Sequence, residues 1–391
     1  MINSVSEITE KNCCGCGSCF QSCPKHCITM QENERGFLLP EVDESLCVNC
    51  GLCVRSCPEI EQPKLYSVKK AYAAVARDMP MLKKSTSGGI FGVMSLAVLN
   101  QGGVVYGCAW GDNFKAEHIR ITAADDLYLI QQSKYLQSDT ANTFVQVKND
   151  LLNNIMVLYS GTACQIAGLR KFLKQEYDNL LTVEVACHGV PSPGLFRKYI
   201  DWIEKNIGKK VSDYQFRNKE KHKKGEHYKC CVTFADESKK YAFSKEDAYY
   251  GSFLEGRTLR CTCYNCKFKN NDRIADIMLS DYWGIEREHK DFPAQNGASA
   301  VVLCSDAAID LFTSIKDSLI FKDTTFEQIT KHNHSLVQSS SVDENLRIKT
   351  INIDSNDLFT SLKPKFDIKV RVKNLVPEKL KYFMKTLRWL G

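Results

Sequence analysis

Two runs of cysteine hold the clearest chemistry in this chain: Cys13-x-x-Cys16-x-x-Cys19-x-x-x-Cys23-Pro24 and Cys47-x-x-Cys50-x-x-Cys53-x-x-x-Cys57-Pro58. Each has the spacing of bacterial ferredoxins, in which three close thiolates bind one 4Fe-4S cluster and the fourth reaches across to the other. The spacing therefore predicts that cluster one takes Cys13, Cys16, Cys19 and Cys57, and that cluster two takes Cys47, Cys50, Cys53 and Cys23. Gly15, Gly17 and Gly51 give the loops room to curl around a cubane, and each proline turns the chain away from it. Structural zinc is the competing use of clustered cysteine, but zinc sites show separated pairs rather than three thiolates at steps of three. Two such runs in tandem favour iron. Cys14 and Cys27 fall outside the pattern.

The chain has 391 residues and 19 cysteines, ten of them before residue 58. That length predicts two or three units. With 43% apolar and 25% charged residues the composition is that of a globular protein able to enclose a cofactor. The first residues, MINSVSEITEKN, have neither a basic nor an apolar stretch of the secretory kind, and no apolar run reaches eighteen residues, so a cytoplasmic protein without a spanning helix is expected. A reducing compartment again fits metal ligation better than disulfides. The net charge of +6 sits in the tail, where Ser361 to Gly391 holds nine Lys or Arg against two Asp or Glu. A local basic segment gives no reason to expect nucleic acid.

Behind the cysteine runs, residues 58–68 read as a linker. Strand patterns at 71–76, 103–110, 155–159, 181–186, 228–234, 274–279 and 299–304 alternate with helical patterns at 90–100, 144–153, 166–173 and 307–319, the last capped by Asp306. The Lys-rich stretch 217–227 reads as a solvated loop. The expectation is an α+β chain: a ferredoxin-like module over residues 1–63, a mixed α/β core over 64–350 that binds flavin, and a basic amphipathic segment over 351–391.

Three features of the core could hold a flavin nucleotide. Ser85-Thr86-Ser87-Gly88-Gly89 opens a helix, where free N–H groups favour phosphate. Gly161-Thr162 stands at a strand-to-helix turn. Lys134-Tyr135-Leu136-Gln137-Ser138 places a cation and hydrogen-bonding groups beside an aromatic ring. Singly each is an ordinary capping turn. In order, however, the cysteine runs, SerThrSerGlyGlyIle at 85–90, LysTyrLeuGlnSer at 134–138, GlyThrAlaCysGln at 161–165, CysHisGlyValProSer at 187–192, CysTyrAsnCysLysPhe at 263–268 and AlaAspIleMetLeuSerAspTyrTrpGly at 275–284 together resemble the beta-subunit family of the coenzyme F-420 hydrogenases and dehydrogenases.

That resemblance implies FAD in the core with an iron–sulfur cluster beside it. Ser87, Gly88 and Gly89 would approach the FAD phosphates; Tyr135, Gln137 and Ser138 would lie along the flavin, with Gly161 and Thr162 near it. Cys164, Cys187, Cys263 and Cys266 occupy the family's cysteine-bearing motifs and would hold a third 4Fe-4S cluster. Cys261 stands where the family more often has proline, and GlyThrAlaCys replaces GlyThrProCys. His188, Asp276 and Asp281 are candidates for proton transfer or cofactor contact, His188 and Asp281 foremost, because imidazole titrates in the right range beside a flavin. A flavin can take single electrons from clusters and release them as a hydride. The expected activity is therefore an oxidoreductase linking a soluble carrier such as ferredoxin, through clusters and FAD, to a small organic acceptor or a deazaflavin-type coenzyme. The alternative is a relay subunit with no substrate pocket of its own; a redox-sensing regulator lacks any DNA-reading motif. Residues from Pro377 onward could lie on an anionic membrane surface or dock on the core. Oligomeric state is left open.

Overall fold

The computed structural model describes residues 4–220, 228–342, 353–354 and 357–362. The first unit is built around an antiparallel ribbon of β1 (Ile28–Glu32) and β2 (Leu38–Val42). Short helices α1 (Ser18–Gln21) and α2 (Leu52–Arg55) each begin after the second cysteine of a run and carry the third, Cys19 and Cys53.

The remaining strands are β3 (Lys70–Ala76), β4 (Val104–Trp110), β5 (Ala116–Ile121), β6 (Val157–Thr162), β7 (Leu180–Val185), β8 (Val211–Asn218), β9 (Lys229–Phe234), β10 (Lys239–Phe243), β11 (Ile277–Asp281), β12 (Ser299–Leu303) and β13 (Leu319–Thr324). β8, β9 and β10 form a small antiparallel sheet; the others form one mixed sheet in the order β13-β3-β12-β11-β7-β6-β4-β5. β4, β6, β7 and β11 are parallel. β12 pairs antiparallel with both β11 and β3, so β3 points the same way as the parallel four.

The helices of this core are α3 (Met79–Lys84), α4 (Ile90–Asn100), α5 (Leu127–Ile130), α6 (Thr143–Leu152), α7 (Ala163–Leu173), α8 (Pro193–Ile207), α9 (Ala248–Leu254), α10 (Ile285–Glu288) and α11 (Asp306–Ser314). Successive strand residues face opposite sides. Val105, Leu158, Val183 and Ile277 pack with α4 and α11, while Val104, Tyr106, Val157 and Tyr159 pack with α6 and α7. Both faces are thus covered, as a parallel sheet requires. An aromatic cluster around Phe196, Tyr199, Tyr214, Phe216 and Tyr249 joins α8, α9 and the small sheet.

The α/β core with an N-terminal iron–sulfur module agrees with the sequence. Two local expectations are corrected. The pattern at 307–319 is a helix capped by Ser305, whose side chain accepts from the Ala308 N–H; it ends at Ser314, and Leu319 opens β13. Arg217 is not in a solvated loop: it lies in β8 and is 6% exposed, because its guanidinium is paired with Asp281. No helix among the described residues is long and apolar enough to cross a membrane. The basic segment from residue 363 onward lies outside the described residues.

Candidate redox centres

The two triplets adopt the same loop. Gly17 (φ 75°) and Gly51 (φ 68°) sit in the left-handed region and open α1 and α2, a conformation that costs a side-chain-bearing residue about 1–2 kcal/mol. Each loop curls around a cavity. The first, about 320 Å³ with its mouth, is lined by Cys13, Cys16, Cys19 and Cys57, with Cys14 in its wall. The second, about 360 Å³ with its mouth, is lined by Cys23, Cys47, Cys50 and Cys53, with Cys27 in its wall. The fold thus brings Cys57 to the first run and Cys23 to the second. Among the described residues no group of three or more His, Cys, Asp or Glu is placed to hold a single metal ion; the cysteines of each set border a cavity. Burial pushes the Cys19 thiol up, and the neighbouring Cys13 and Cys57 push it further. Thiolates in such a setting need a cation among them, which the iron of a cluster would supply.

The first loop is pressed against the core. Thr140 Oγ1 donates to the Cys16 carbonyl (2.9 Å), Ser18 Oγ donates to the Gly168 carbonyl (3.0 Å), and the Phe144 N–H donates to Gln21 Oε1 (2.8 Å). Arg260 reaches over from the far side. Its Nε donates to the Cys13 carbonyl (2.6 Å), Nη1 to Gln137 Oε1 (2.8 Å) and Nη2 to the Leu38 carbonyl (2.8 Å). Gln137 Nε2 completes the grip by donating to the Gly15 carbonyl (3.0 Å). The second loop faces outward, with Leu46 55% and Val48 58% exposed beside the exposed Cys50.

The core cysteines lie along the carboxyl ends of the parallel strands. Cys164 is in the first turn of α7 after β6, Cys187 follows β7, and Cys263 and Cys266 come from the segment 261–266 packed above them. The four feel one another. Burial pushes the Cys266 thiol up to about 12, with Cys164 and Cys187 adding to it, and Cys263 is raised by burial and then by Cys187, Cys164 and Cys266. Cys14 joins the two groups electrostatically: Cys16 pushes its thiol up, and Cys14 in turn raises that of Cys164. Cys261 turns away: its Sγ meets Glu10 Oε1 at 3.3 Å and Arg35 Nη1 at 3.2 Å.

Residues 155–328 match the family model for the C terminus of the beta subunit of coenzyme F-420 hydrogenase/dehydrogenase, and residues 12–59 match the 4Fe-4S dicluster domain. Residues 155–328 thus carry the pattern of that beta subunit's C terminus. A solved structure, the xenon-derivatised F-420-reducing NiFe hydrogenase complex from Methanosarcina barkeri, is similar at 17% identity, with 77% of this chain and 93% of that chain covered and a TM-score of 0.46. No curated protein matches the chain.

The remaining sequence-predicted residues, except Asp276 at the amino end of β11, fall along the same carboxyl edge, with differing engagements. The Gly88 N–H donates to Ser299 Oγ (2.9 Å) and its carbonyl accepts from Ala76 (2.7 Å), while Ser87 Oγ donates to the Ala298 carbonyl. Gly88 is a close-approach glycine, since a Cβ there would lie 2.5 Å from the Ala74 carbonyl oxygen. Gly89 (φ 84°) opens α4 with no side-chain cap. Tyr135 stacks with Tyr250 and Phe253. Gln137 is taken up by the cluster-one loop, and Ser138 Oγ lies 3.2 Å from His118 Nδ1. Gly161 ends β6, and Thr162 caps α7 in a reciprocal box with Gln165. His188 has Ser340 Oγ 3.3 Å from Nδ1, Phe253 edge-on at 5.3 Å, and Nε2 buried without a partner among the described residues; burial, then Lys269, lowers its pKa. Both oxygens of Asp281 accept from Arg217, at 2.5 and 3.1 Å. Asp276 accepts from Thr182 and Arg170.

Sequence reading missed three cations at this edge. Arg217 lies 3.6 Å over the Tyr228 ring. Lys219 donates to the carbonyls of Leu82 and Ser87, and burial, helped by Arg217, lowers its pKa to about 8. Arg260 precedes Cys261, and nothing local signals where its side chain goes.

Proposed function

We propose that this chain is an iron–sulfur flavoprotein oxidoreductase. Cys23, Cys47, Cys50 and Cys53 would hold an outer 4Fe-4S cluster, Cys13, Cys16, Cys19 and Cys57 an inner one, and Cys164, Cys187, Cys263 and Cys266 a third, which together would supply a path for single electrons from the surface to the core. The observation that carries this reading is the packing of the inner loop on α7, the helix that carries Cys164: Ser18 Oγ donates to the Gly168 carbonyl (3.0 Å), and a Cβ at Gly168 would lie 2.9 Å from Cys16 Sγ. FAD beside the third cluster would supply the conversion of single electrons to a hydride. Gly89 and the uncapped N-terminus of α4 offer free N–H groups for its phosphates, Lys219 adds a cation beside Ser87, and Tyr135 an aromatic face. His188 Nε2 is the free nitrogen suited to hold or deliver a proton, whereas Asp281 fixes Arg217. The electron donor or acceptor outside the chain is a soluble carrier of the ferredoxin kind, and the organic partner is a small substrate or a deazaflavin-type coenzyme.

Anaerobic purification with iron and cofactor analysis tests this. The expected result is about twelve irons per chain, falling to about eight in Cys263→Ala or Cys266→Ala, together with extractable FAD. Unchanged iron in those variants rejects the third cluster, and flavin-free material rejects FAD. A second reading rests on the family's description as a beta subunit: a relay that hands electrons to a partner protein. If the purified chain reduces acceptors only when a partner is added, that reading replaces the first.

A further inference from the structure

Arg260 is fully buried, at 0% exposure, and is the largest side chain so enclosed. Its hydrogen bonds go to two backbone carbonyls and a neutral amide, and one flank faces the Phe37 ring at 5.1 Å. Among the described residues no carboxylate comes within 4 Å of it, although the other deeply buried arginines have one: Arg217 pairs with Asp281 and Arg273 with Glu184. Glu59 feels the Arg260 charge but pairs with Lys267 at 3.6 Å, and Glu10 pairs with Arg35. A cation shut away from water without a countercharge is too costly to persist.

The countercharge is indicated by what the guanidinium touches. It holds the Cys13 carbonyl and lies directly behind Gly15, where a Cβ would come within 3.1 Å of its central carbon. It is therefore seated in the backbone of the inner cluster loop itself. A thiolate-ligated 4Fe-4S cluster is anionic in both oxidation states and gains one more negative charge with each electron. The cations at the outer cavity are exposed: Lys25 lines it, and Arg55 Nη2 donates to the Cys50 carbonyl from the surface.

We propose that Arg260 is a positioning residue whose charge is balanced by the inner cluster and holds up that cluster's reduction potential. Burial alone disfavours the more highly charged reduced state, because water no longer solvates it. The fixed cation opposes that penalty, so the electron passing inward from the solvated outer cluster meets no steep uphill step. The inference rests on the reading that Cys13, Cys16, Cys19 and Cys57 hold a cluster.

The test is an EPR-monitored redox titration of the full chain, with the inner signal assigned as the one that survives both Cys50→Ser and Cys263→Ala and is lost in Cys16→Ser. Arg260→Met should lower the inner potential by at least a tenfold change in the reduction equilibrium, about 59 mV for one electron, and Arg260→Lys should recover most of it. Gln137→Glu keeps the arginine and its hydrogen bond but sets a carboxylate against the guanidinium, so it should lower the potential as well even if Arg260→Met fails to load iron. Thr140→Val loosens the same loop without touching charge and should leave the potential near that of the wild type. Iron-replete Arg260→Met with an unmoved inner potential overturns the proposal, as does Gln137→Glu with no shift, or Thr140→Val with a shift equal to that of Arg260→Met. A wild-type chain with no inner signal overturns the underlying cluster assignment instead.

Discussion

The two cysteine loops have the same spacing and nearly the same backbone, yet they live in opposite surroundings. In the inner loop Cys16 is 7% exposed and its carbonyl is held by Thr140; in the outer loop Cys50 is exposed, as are Leu46 and Val48 shortly before it. A motif fixes which ligands gather, because that is local geometry. It does not fix the dielectric, the nearby charge or the neighbours, which come from packing against distant segments. Since cluster potential follows solvent access, hydrogen bonds and charge, the duplication yields two unlike carriers from one design, an outward port and an inward contact.

Breaking one ligand in each loop should give the largest contrast. Cys50→Ser is expected to cost about four irons per chain while the inner loop, held by contacts it does not share, keeps its cluster; reduction by an external carrier then slows greatly. Cys16→Ser is expected to cost a similar amount of iron and also to cut the outer cluster off from the core, so that a chain reduced at the outer cluster passes nothing onward. Iron analysis paired with stopped-flow reduction separates the two. Equal rates of core reduction in both variants would remove the distinction between port and contact.

How much of this was legible in advance follows the range of the interactions. The cysteine ligands and the strands near 71–76, 103–110 and 181–186 could be read because spacing and periodicity are properties of short windows. The clamp on the inner loop could not. Arg260 bonds a carbonyl 247 positions away, and a lone arginine before a cysteine has no pattern that betrays a fully buried destination. Arg217 was misread for the same reason: its Lys-rich neighbourhood resembles a solvated loop, while the carboxylate that draws it inside, Asp281, is 64 residues distant. Gln137 and Ser138 were singled out as cofactor contacts, and the fold shows what else buried residues of that polarity do: Gln137 holds the first unit at the Gly15 carbonyl, while Ser138 bonds His118 and Gln165 within the core.

Acid should loosen the inner side before the outer. His118 is buried against Tyr159, with Nε2–H donating to the Ser160 carbonyl (2.9 Å) and Nδ1 accepting from Ser138. Burial, the largest influence, lowers its pKa to about 4, against about 6.5 unfolded. Between those values the unfolded chain binds the proton and the folded chain does not, so stability falls as pH falls from about 6.5 to about 4, by up to about 3 kcal/mol. Ser138 adjoins the Gln137–Thr140 stretch that grips the first loop. Chemical denaturation across this range should therefore show a loss that His118→Gln flattens, with protease sensitivity appearing first around residues 13–21. A pH-independent midpoint would show that His118 is not the group responsible.

The smallest effect is also the most direct measure of environment, because it holds conformation constant. Gly17→Ala and Gly51→Ala each force a side chain into the same left-handed backbone at nearly equal φ, and each should lose about 1–2 kcal/mol for that reason alone. What differs is the space the new methyl enters. At Gly51 it meets only the flexible end of Arg55, at 3.1 Å; at Gly17 it meets Thr140 Oγ1 at 2.6 Å, on the residue that holds Cys16. Overpacking of that kind adds about 1–3 kcal/mol. Thermal unfolding of the two iron-loaded variants should thus rank Gly17→Ala below Gly51→Ala, and Thr140→Ser, which keeps the hydroxyl but removes a methyl group, should narrow the gap. Equal melting temperatures would mean that the inner loop is not seated against Thr140 when its cluster is bound, and the contrast between the two loops would have to be drawn from charge alone.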